Sequence, residues 1–452
     1  MDILKSEKLK NTPVNKLLIA MSLPAIFSMF VQALYNIVDT IFVSWKNDSY
    51  LDAVSIAFPL QMLVIAFAVG IGVGANSLVA RSLGESKVDK ANKTLNNSIF
   101  LSLVSGIIFI LIGIFIPRVF MQLFTSNENI IDYGVSYLSI CLIGSTFVLL
   151  EISLSRCLQA TGNMKMPMIG QLVGAITNII LDPIFIFLFN LGISGAAIAT
   201  VIGQFAALLV SIFSYTRLKQ DLMIIPKYFL RPDYEIIKEI CIIGLPAMIM
   251  NSISSFTIII LNIFVKDINY AIKVLGIYFK LQSFVFMPIF GLMQGSLPIL
   301  AYNYGNNNPI RFKKTFNLTL VYSFGIGLLG FLIFMIFPKF LMDFFNSNSD
   351  LKEYGAFALR LISINFIFAS LSIPLTNVFQ SLGSGIKSLA MSLLRQLVLL
   401  LPIAYLFTLL ADKNYFWLAY PISEFIVFCI FLPLALQTIK KKVNFVQEIS
   451  FL

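Results

Sequence analysis

Stretches of some twenty or more apolar residues, parted by short polar and charged segments, follow one another along this 452-residue chain. A bilayer core of ~30 Å takes about 20 helical residues to cross. Within lipid every backbone group must bond inside its own segment, so runs of this kind read as helices. The first goes from Leu17 to about Ser44, behind a polar, basic start over residues 1–16 with Lys5, Lys8, Lys10 and Lys16. Further runs fall at about 53–80, 97–116, 133–155, 164–189, 193–216, 236–264, 270–300, 315–337, 355–379, 386–410 and 416–438. The pattern predicts an all-α polytopic membrane protein with twelve transmembrane helices. A secretory signal has an apolar core of about 7–15 residues. The first run is longer and carries Asp39, so it is expected to be a retained helix.

The pattern also repeats. Leu23-Pro24-Ala25 returns as Leu245-Pro246-Ala247, Leu60-Gln61 as Leu281-Gln282, and Ala80 to Gly84 (ARSLG) as Ala301 to Gly305 (AYNYG). Pro117 returns as Pro338, and Gln159-Ala160-Thr161-Gly162 as Gln380-Ser381-Leu382-Gly383. All five offsets are 221 or 222 residues, a register that chance does not produce. Six helices repeated in one orientation imply two pseudo-symmetric six-helix lobes related by an axis along the membrane normal, an arrangement typical of transporters. The expected division is a tail over 1–16, an N-terminal lobe over 17–216, a charged linker over 217–235, a C-terminal lobe over 236–438 and a tail over 439–452.

Composition agrees with the pattern: 58% of the residues are hydrophobic and 12% charged, against roughly a quarter charged in soluble proteins. The net charge of +10 reads as a surplus of Lys and Arg on the cytoplasmic side, not as a nucleic-acid surface. With the amino terminus inside, 23 of the 32 Lys and Arg fall in inward segments, Arg156 and Arg395 among them, about 8 in outward loops, and Lys280 within a span. Both termini are therefore expected in the cytoplasm. Cys141, Cys157, Cys241 and Cys429 lack paired spacing and read as packing residues, and histidine is absent, which removes most zinc sites and the usual general bases.

Against this apolar background a few acids stand out. Asp39 lies in LYNIVDTIFVSW and Asp182 in ITNIILDPIFIF. A carboxylate at membrane depth is disfavoured by a few kcal/mol or more and usually marks an ion or proton site. The alternative is a plain hydrogen bond to a neighbouring helix, which Ser, Thr or Asn would supply at less cost. Asn178 stands four residues before Asp182 and shares its helix face. Pro183 removes a backbone donor beside the pair and can bare carbonyl oxygen to a cation. Tyr35 and Asn36, one turn before Asp39, are candidates for the same cavity, with Gln32 a weaker one. Glu151 either pairs with Arg156, the reading preferred here, or lines the cavity; Glu424 is expected near an interface or against the eleventh helix and is given no role. Pro24, Pro246, Pro288, Pro374 and Pro402 are expected to kink helices around a lumen.

Two six-helix halves, the Leu-Pro-Ala starts, Ala-Arg-Ser-Leu-Gly-Glu after the second span and Gln-Ala-Thr-Gly-Asn after the fourth resemble the multidrug and toxic compound extrusion (MATE) family over essentially the whole chain. The resemblance implies a coupling-ion site in the N-terminal lobe, formed by an aspartate of the first helix with an Asn, an Asp and a Thr of the fifth and sixth. The matching residues are Asp39, Asn178, Asp182 and Thr200. Another branch of that family uses acids of the C-terminal lobe. Here the apolar stretches of the seventh, eighth, tenth and eleventh helices carry no Asp or Glu, which favours the N-terminal site.

The resulting expectation is a monomeric exporter in the cell membrane, not an enzyme. It takes drug-like, hydrophobic and often cationic small molecules, binds no nucleic acid and needs no cofactor. Its coupling ion is Na+ or H+, and the one metal in view is Na+ at Asp39, Asn178, Asp182 and Thr200. Two alternatives stand beside it. A lipid-linked precursor flippase of the same superfamily would line its cleft with several Arg or Lys, where the sequence offers little beyond Lys280. An intramembrane lipid-modifying enzyme would need a general base and usually a metal or His motif, and none is visible.

Overall fold

Polar residues lengthen the helices beyond the apolar runs that seed them. In the computed structural model, which describes residues 6–46, 48–218, 221–265, 268, 270–345, 349–409 and 413–444, seven spans run past the expected limits and the other five keep them to within about three residues. They are α1 (Val14–Lys46), α2 (Asp48–Gly84), α3 (Val88–Phe115), α4 (Glu128–Ile143 with Ser145–Ala160), α5 (Lys165–Pro183) and α6 (Ile193–Arg217). The second half repeats them as α7 (Tyr234–Phe264), α8 (Ala271–Gly305), α9 (Pro309–Ile336), α10 (Ser349–Ser381), α11 (Gly385–Leu409) and α12 (Ala419–Ile439). α3, for instance, starts nine residues before the expected 97, because Asp89, Lys90 and Lys93 continue the helix into water. Eleven spans are single helices or continuous helical runs among the described residues, and α4 is a twelfth bent by 43°. That bend falls at Gly144, where an added Cβ would lie 2.5 Å from a Val201 methyl. Pro24, Pro246, Pro288 and Pro374 lie inside continuous helices.

The repeated Gln-x-x-Gly motif has a physical reason. Gly162 (φ +80°) and Gly383 (φ +67°) each end a helix in the left-handed region that glycine tolerates. Their N–H groups donate to the carbonyls of Gln159 and Gln380, and the next residues donate back to Leu158 and Phe379. These are Schellman caps, and they stop α4 and α10 at equivalent points of the two lobes.

Each lobe has its own core, around Phe109, Leu138 and Ala196 in the first and around Tyr278, Phe366 and Trp417 in the second. A third cluster joins Leu18 and Met21 of α1 to Ile289 and Met293 of α8, at the end of the molecule that holds the amino-terminal segment. Polar bridges between the lobes lie at this same end. Ser77 donates to the Gln380 carbonyl at 2.8 Å, and Glu239 of α7 meets Arg81 of α2 at 3.2 Å and Lys90 of α3 at 2.7 Å. Gly84 and Gly305 let α2 and α8 touch backbone to backbone: a Cβ on either would fall 2.1 Å from a carbonyl oxygen of the other helix.

Residues 221–235 run between the lobes along α3, where Asn92, Asn96 and Asn97 accept from the N–H groups of Met223, Ile225 and Asp233, each at 2.8 Å. The amino-terminal turn Glu7–Asn11 is tied to the second lobe by Arg311, whose Nη2 donates to the carbonyls of Leu9 (2.9 Å) and Thr12 (2.8 Å). Hydrogen bonds from a charged donor contribute about 1.5–3 kcal/mol where screened from water. Arg311 is partly exposed, so Arg311→Ala is expected to destabilise by about 1 kcal/mol. Thermal unfolding of the purified protein checks this, and an unchanged melting temperature would mean that the amino-terminal turn is held elsewhere.

Candidate functional site

The close approach of α5 and α6 brings the first site together. Gly174 and Gly203 face each other; a Cβ on Gly203 would sit 2.8 Å from the Gly174 carbonyl and 3.2 Å from Asn178 Cβ. At this spacing the Asn178 amide donates to Asp182 Oδ1 (3.3 Å) on its own helix and to Thr200 Oγ1 (3.4 Å) on α6. Asp182 and Asn178 are buried. From α1, the Asp39 carboxyl faces that of Asp182 within hydrogen-bonding reach. All four residues matched by the resemblance thus meet at one place.

What the cluster lacks defines what it can hold. Asp39 Oδ1, Asp182 Oδ2 and Asn178 Oδ1 are buried without a hydrogen-bond partner. Two carboxyl groups this close in a low-dielectric setting need a proton or a cation between them. Carboxylate, amide and hydroxyl oxygens are the donor set of a hard cation, so the orphaned oxygens fit Na+ as well as H+. After Pro183, which offers no N–H to the carbonyl one turn back, α5 widens into a π turn, Ile184–Leu188. Such turns inside α-helices recur at functional sites.

Asn178, Thr200 and Tyr35 also line a central cavity of about 580 Å³ between the lobes. Its wall takes residues from both halves, with Met29, Met168, Met250 and Met293 among the apolar ones. Gln32 faces it and accepts from Gln171 of α5 at 3.1 Å. Asn36 lies on α1, but its side chain falls outside the described residues.

Three expectations from the sequence are corrected here. Glu151 lines the cavity, but it accepts from Ser155 at 2.7 Å and forms no ion pair with Arg156, which reaches Gln159 at 3.2 Å. Arg156 and Arg395, counted above with the cytoplasmic charges, both line the cavity. Lys280, read as the membrane interior's main cation, is exposed on α8 and takes no part in that wall.

Arg395 sits on a second π turn, Leu394–Leu400 of α11, and its Nε lies 3.2 Å from Glu424 Oε2 of α12. Gln396 beside it accepts from Thr257 of α7 at 3.1 Å. The sequence did carry a signal for Arg395: LLRQLVLLLP is apolar on both sides of the charge, which a loop would not be.

Known proteins share the sequence pattern and the fold of this chain. The MatE family pattern matches residues 24–184 and again 246–406. The multidrug export protein MepA of Staphylococcus aureus (strain MRSA252) is 28% identical over 412 residues, covering 89% of this chain and 90% of that protein. An outward-facing multidrug resistance MATE family transporter of the MOP superfamily superposes with a TM-score of 0.89 at 25% identity, over 98% of this chain and 99% of that one. A MATE structure in a bent conformation gives a TM-score of 0.92 at 24% identity, over 98% and 99% of the two chains.

Proposed function

The chain belongs to the MatE family, and from that membership and the cavity beside Asp39 we propose that it is a cation-coupled antiporter that exports drug-like amphipathic molecules. Members of the family are transporters, so the intramembrane enzyme falls away. The observation that carries the reading is the Asp39–Asp182 carboxyl pair, with orphaned oxygens, next to the Asn178–Thr200 wall of the cavity.

In this mechanism an entering sodium ion or proton discharges the pair and lets α1 and α5 draw together. α1 also carries Tyr35 on the cavity wall one turn earlier, so bending it narrows the N-terminal pocket and expels the substrate outward. Loss of the ion on the inner side restores repulsion and reopens the pocket. The protein acts as a monomer in the cell membrane. Without Arg156 and Arg395, 21 Lys and Arg still lie on the side of the termini against about 8 opposite, which supports a cytoplasmic position for both ends.

The test is uphill efflux of a rhodamine dye from proteoliposomes under separately imposed sodium and proton gradients. Efflux under one gradient alone identifies the ion. Folded protein that moves no dye under either would remove the coupled-exporter reading. The flippase alternative gains one specific observation, since Arg156 and Arg395 put cationic groups in the cavity where the sequence suggested few.

A further inference from the structure

We propose that the central cavity holds its ligands by an acid group, a carboxylate or phosphate that pairs with the guanidinium groups Arg156 and Arg395 place on its wall, so that the transported molecules are amphipathic anions or zwitterions. The inference rests on the exporter reading and names its substrate class.

Each lobe supplies one guanidinium to the wall. Arg156 is fitted into place: a Cβ at Gly72 of α2 would lie 2.7 Å from Arg156 Cγ, so this glycine makes room for its stem. Its side-chain partner is the neutral Gln159, and it forms no ion pair among the described residues. Arg395 has a carboxylate at one side only. The 3.2 Å contact from Nε to Glu424 is poorly directed, and both Nε and Nη2 are buried without a hydrogen bond. A guanidinium has five donors and a planar fork that matches carboxylate or phosphate. Leaving such donors unfilled away from water is unfavourable, and an arriving anion relieves it.

The rest of the wall suits the remainder of such a molecule. Its methionines adapt to varied apolar shapes, and a volume of about 580 Å³ is that of a drug-sized ligand. Glu151, on the N-terminal side, offers a place for an ammonium, which admits zwitterions. A ligand that is only a cation can meet Glu151 but leaves both guanidinium groups without an acceptor.

The probe is a rhodamine with a free carboxylate and its ethyl ester, which share one cation and differ in one acid group. Binding to the purified full-length protein is followed by fluorescence anisotropy. We expect the acid to bind about tenfold more tightly than the ester, the scale of one charge-assisted hydrogen-bond pair. Arg156→Gln should erase that preference, so that acid and ester bind to within about twofold of each other. Because Arg395→Gln strands Glu424, the double variant Arg395→Gln/Glu424→Gln is used, with thermal unfolding as the check on folding. Arg156→Lys and Arg395→Lys should restore part of the preference.

A second arm compares a short polyprenyl phosphate with the matching polyprenol. Arginine-dependent preference for the phosphate without dye binding supports acid recognition, assigns it to a lipid headgroup and removes the small-molecule exporter reading. Uphill efflux of both dyes with equal affinity overturns the inference and leaves the exporter standing. No acid preference in either arm overturns it as well.

Discussion

Asp39→Asn should abolish uphill efflux while substrate still binds to within about threefold, because the substitution removes coupling and little else. The amide has the carboxylate's shape, so α1 keeps its packing against α5. It has neither a charge nor a titratable proton, so the Asp39–Asp182 pair no longer takes up an ion on one side and releases it on the other. Coupling free energies of about 1–3 kcal/mol correspond to factors of about 5 to 150. The fall in gradient-driven efflux is expected near the upper end, about a hundredfold, since Asp39 is half of the charge pair. Asp182→Asn should match it. Asn178→Ala and Thr200→Val, which remove neutral ligands, should reduce efflux about tenfold, the scale of one lost hydrogen bond to a charged group. Removing a like charge from a buried pair should not lower the melting temperature, and a modest rise is expected. Efflux from proteoliposomes under the driving ion, measured beside dye binding, separates the outcomes. Asp39→Asn protein with full uphill transport would falsify the coupling role.

Much of this site was legible because its signals are one-dimensional. Hydropathy marks the spans, a fixed offset marks the repeat, and an acid in an apolar run marks itself. Asn178 and Asp182 followed from the spacing of a helix turn. That Thr200 meets them was legible only through the family resemblance, since it depends on Gly174 and Gly203 bringing α5 and α6 into contact. Glu151 prefers Ser155 because residues four apart share a helix face, while Arg156, five apart, points elsewhere. Arg395 falls within the apolar run 386–410, and it counts with the cytoplasmic charges only when its charge is weighed above its apolar neighbours. Its partner Glu424 lies on the next helix, and the π turn that aims it at the cavity has no pattern in sequence beyond Pro402 close behind. Buried charges are legible singly; their pairing belongs to tertiary structure.

Alternating access requires that the seal on the side of the termini form and break, and Gly84→Leu should prevent it from forming. A Cβ at Gly84 would lie 2.1 Å from the Tyr302 carbonyl oxygen, and one at Gly305 would lie 2.1 Å from that of Arg81. The obstacle in both cases is backbone, which no rotamer change moves, and close-packed interfaces absorb little overlap. The clash falls among the bridges from Glu239 to Arg81 and Lys90, so separating α2 from α8 also loosens those ion pairs. A shift from 1:99 to 99:1 between two states takes about 5.5 kcal/mol, and an unrelieved backbone overlap supplies energy of this order. The lobes should then part at this end and transport should fall at least about tenfold. Spin labels at Lys87 and Ile310, both exposed and on opposite lobes, report the change once Cys141, Cys157, Cys241 and Cys429 are replaced. Wild type should give a population at short distance, and Gly84→Leu a longer and broader one. Gly325→Ala is the control, because an added Cβ there meets nothing within 4 Å, and it should leave distance and transport unchanged. An unchanged distance in Gly84→Leu, with transport intact, would show that the glycine contact is not what closes this end.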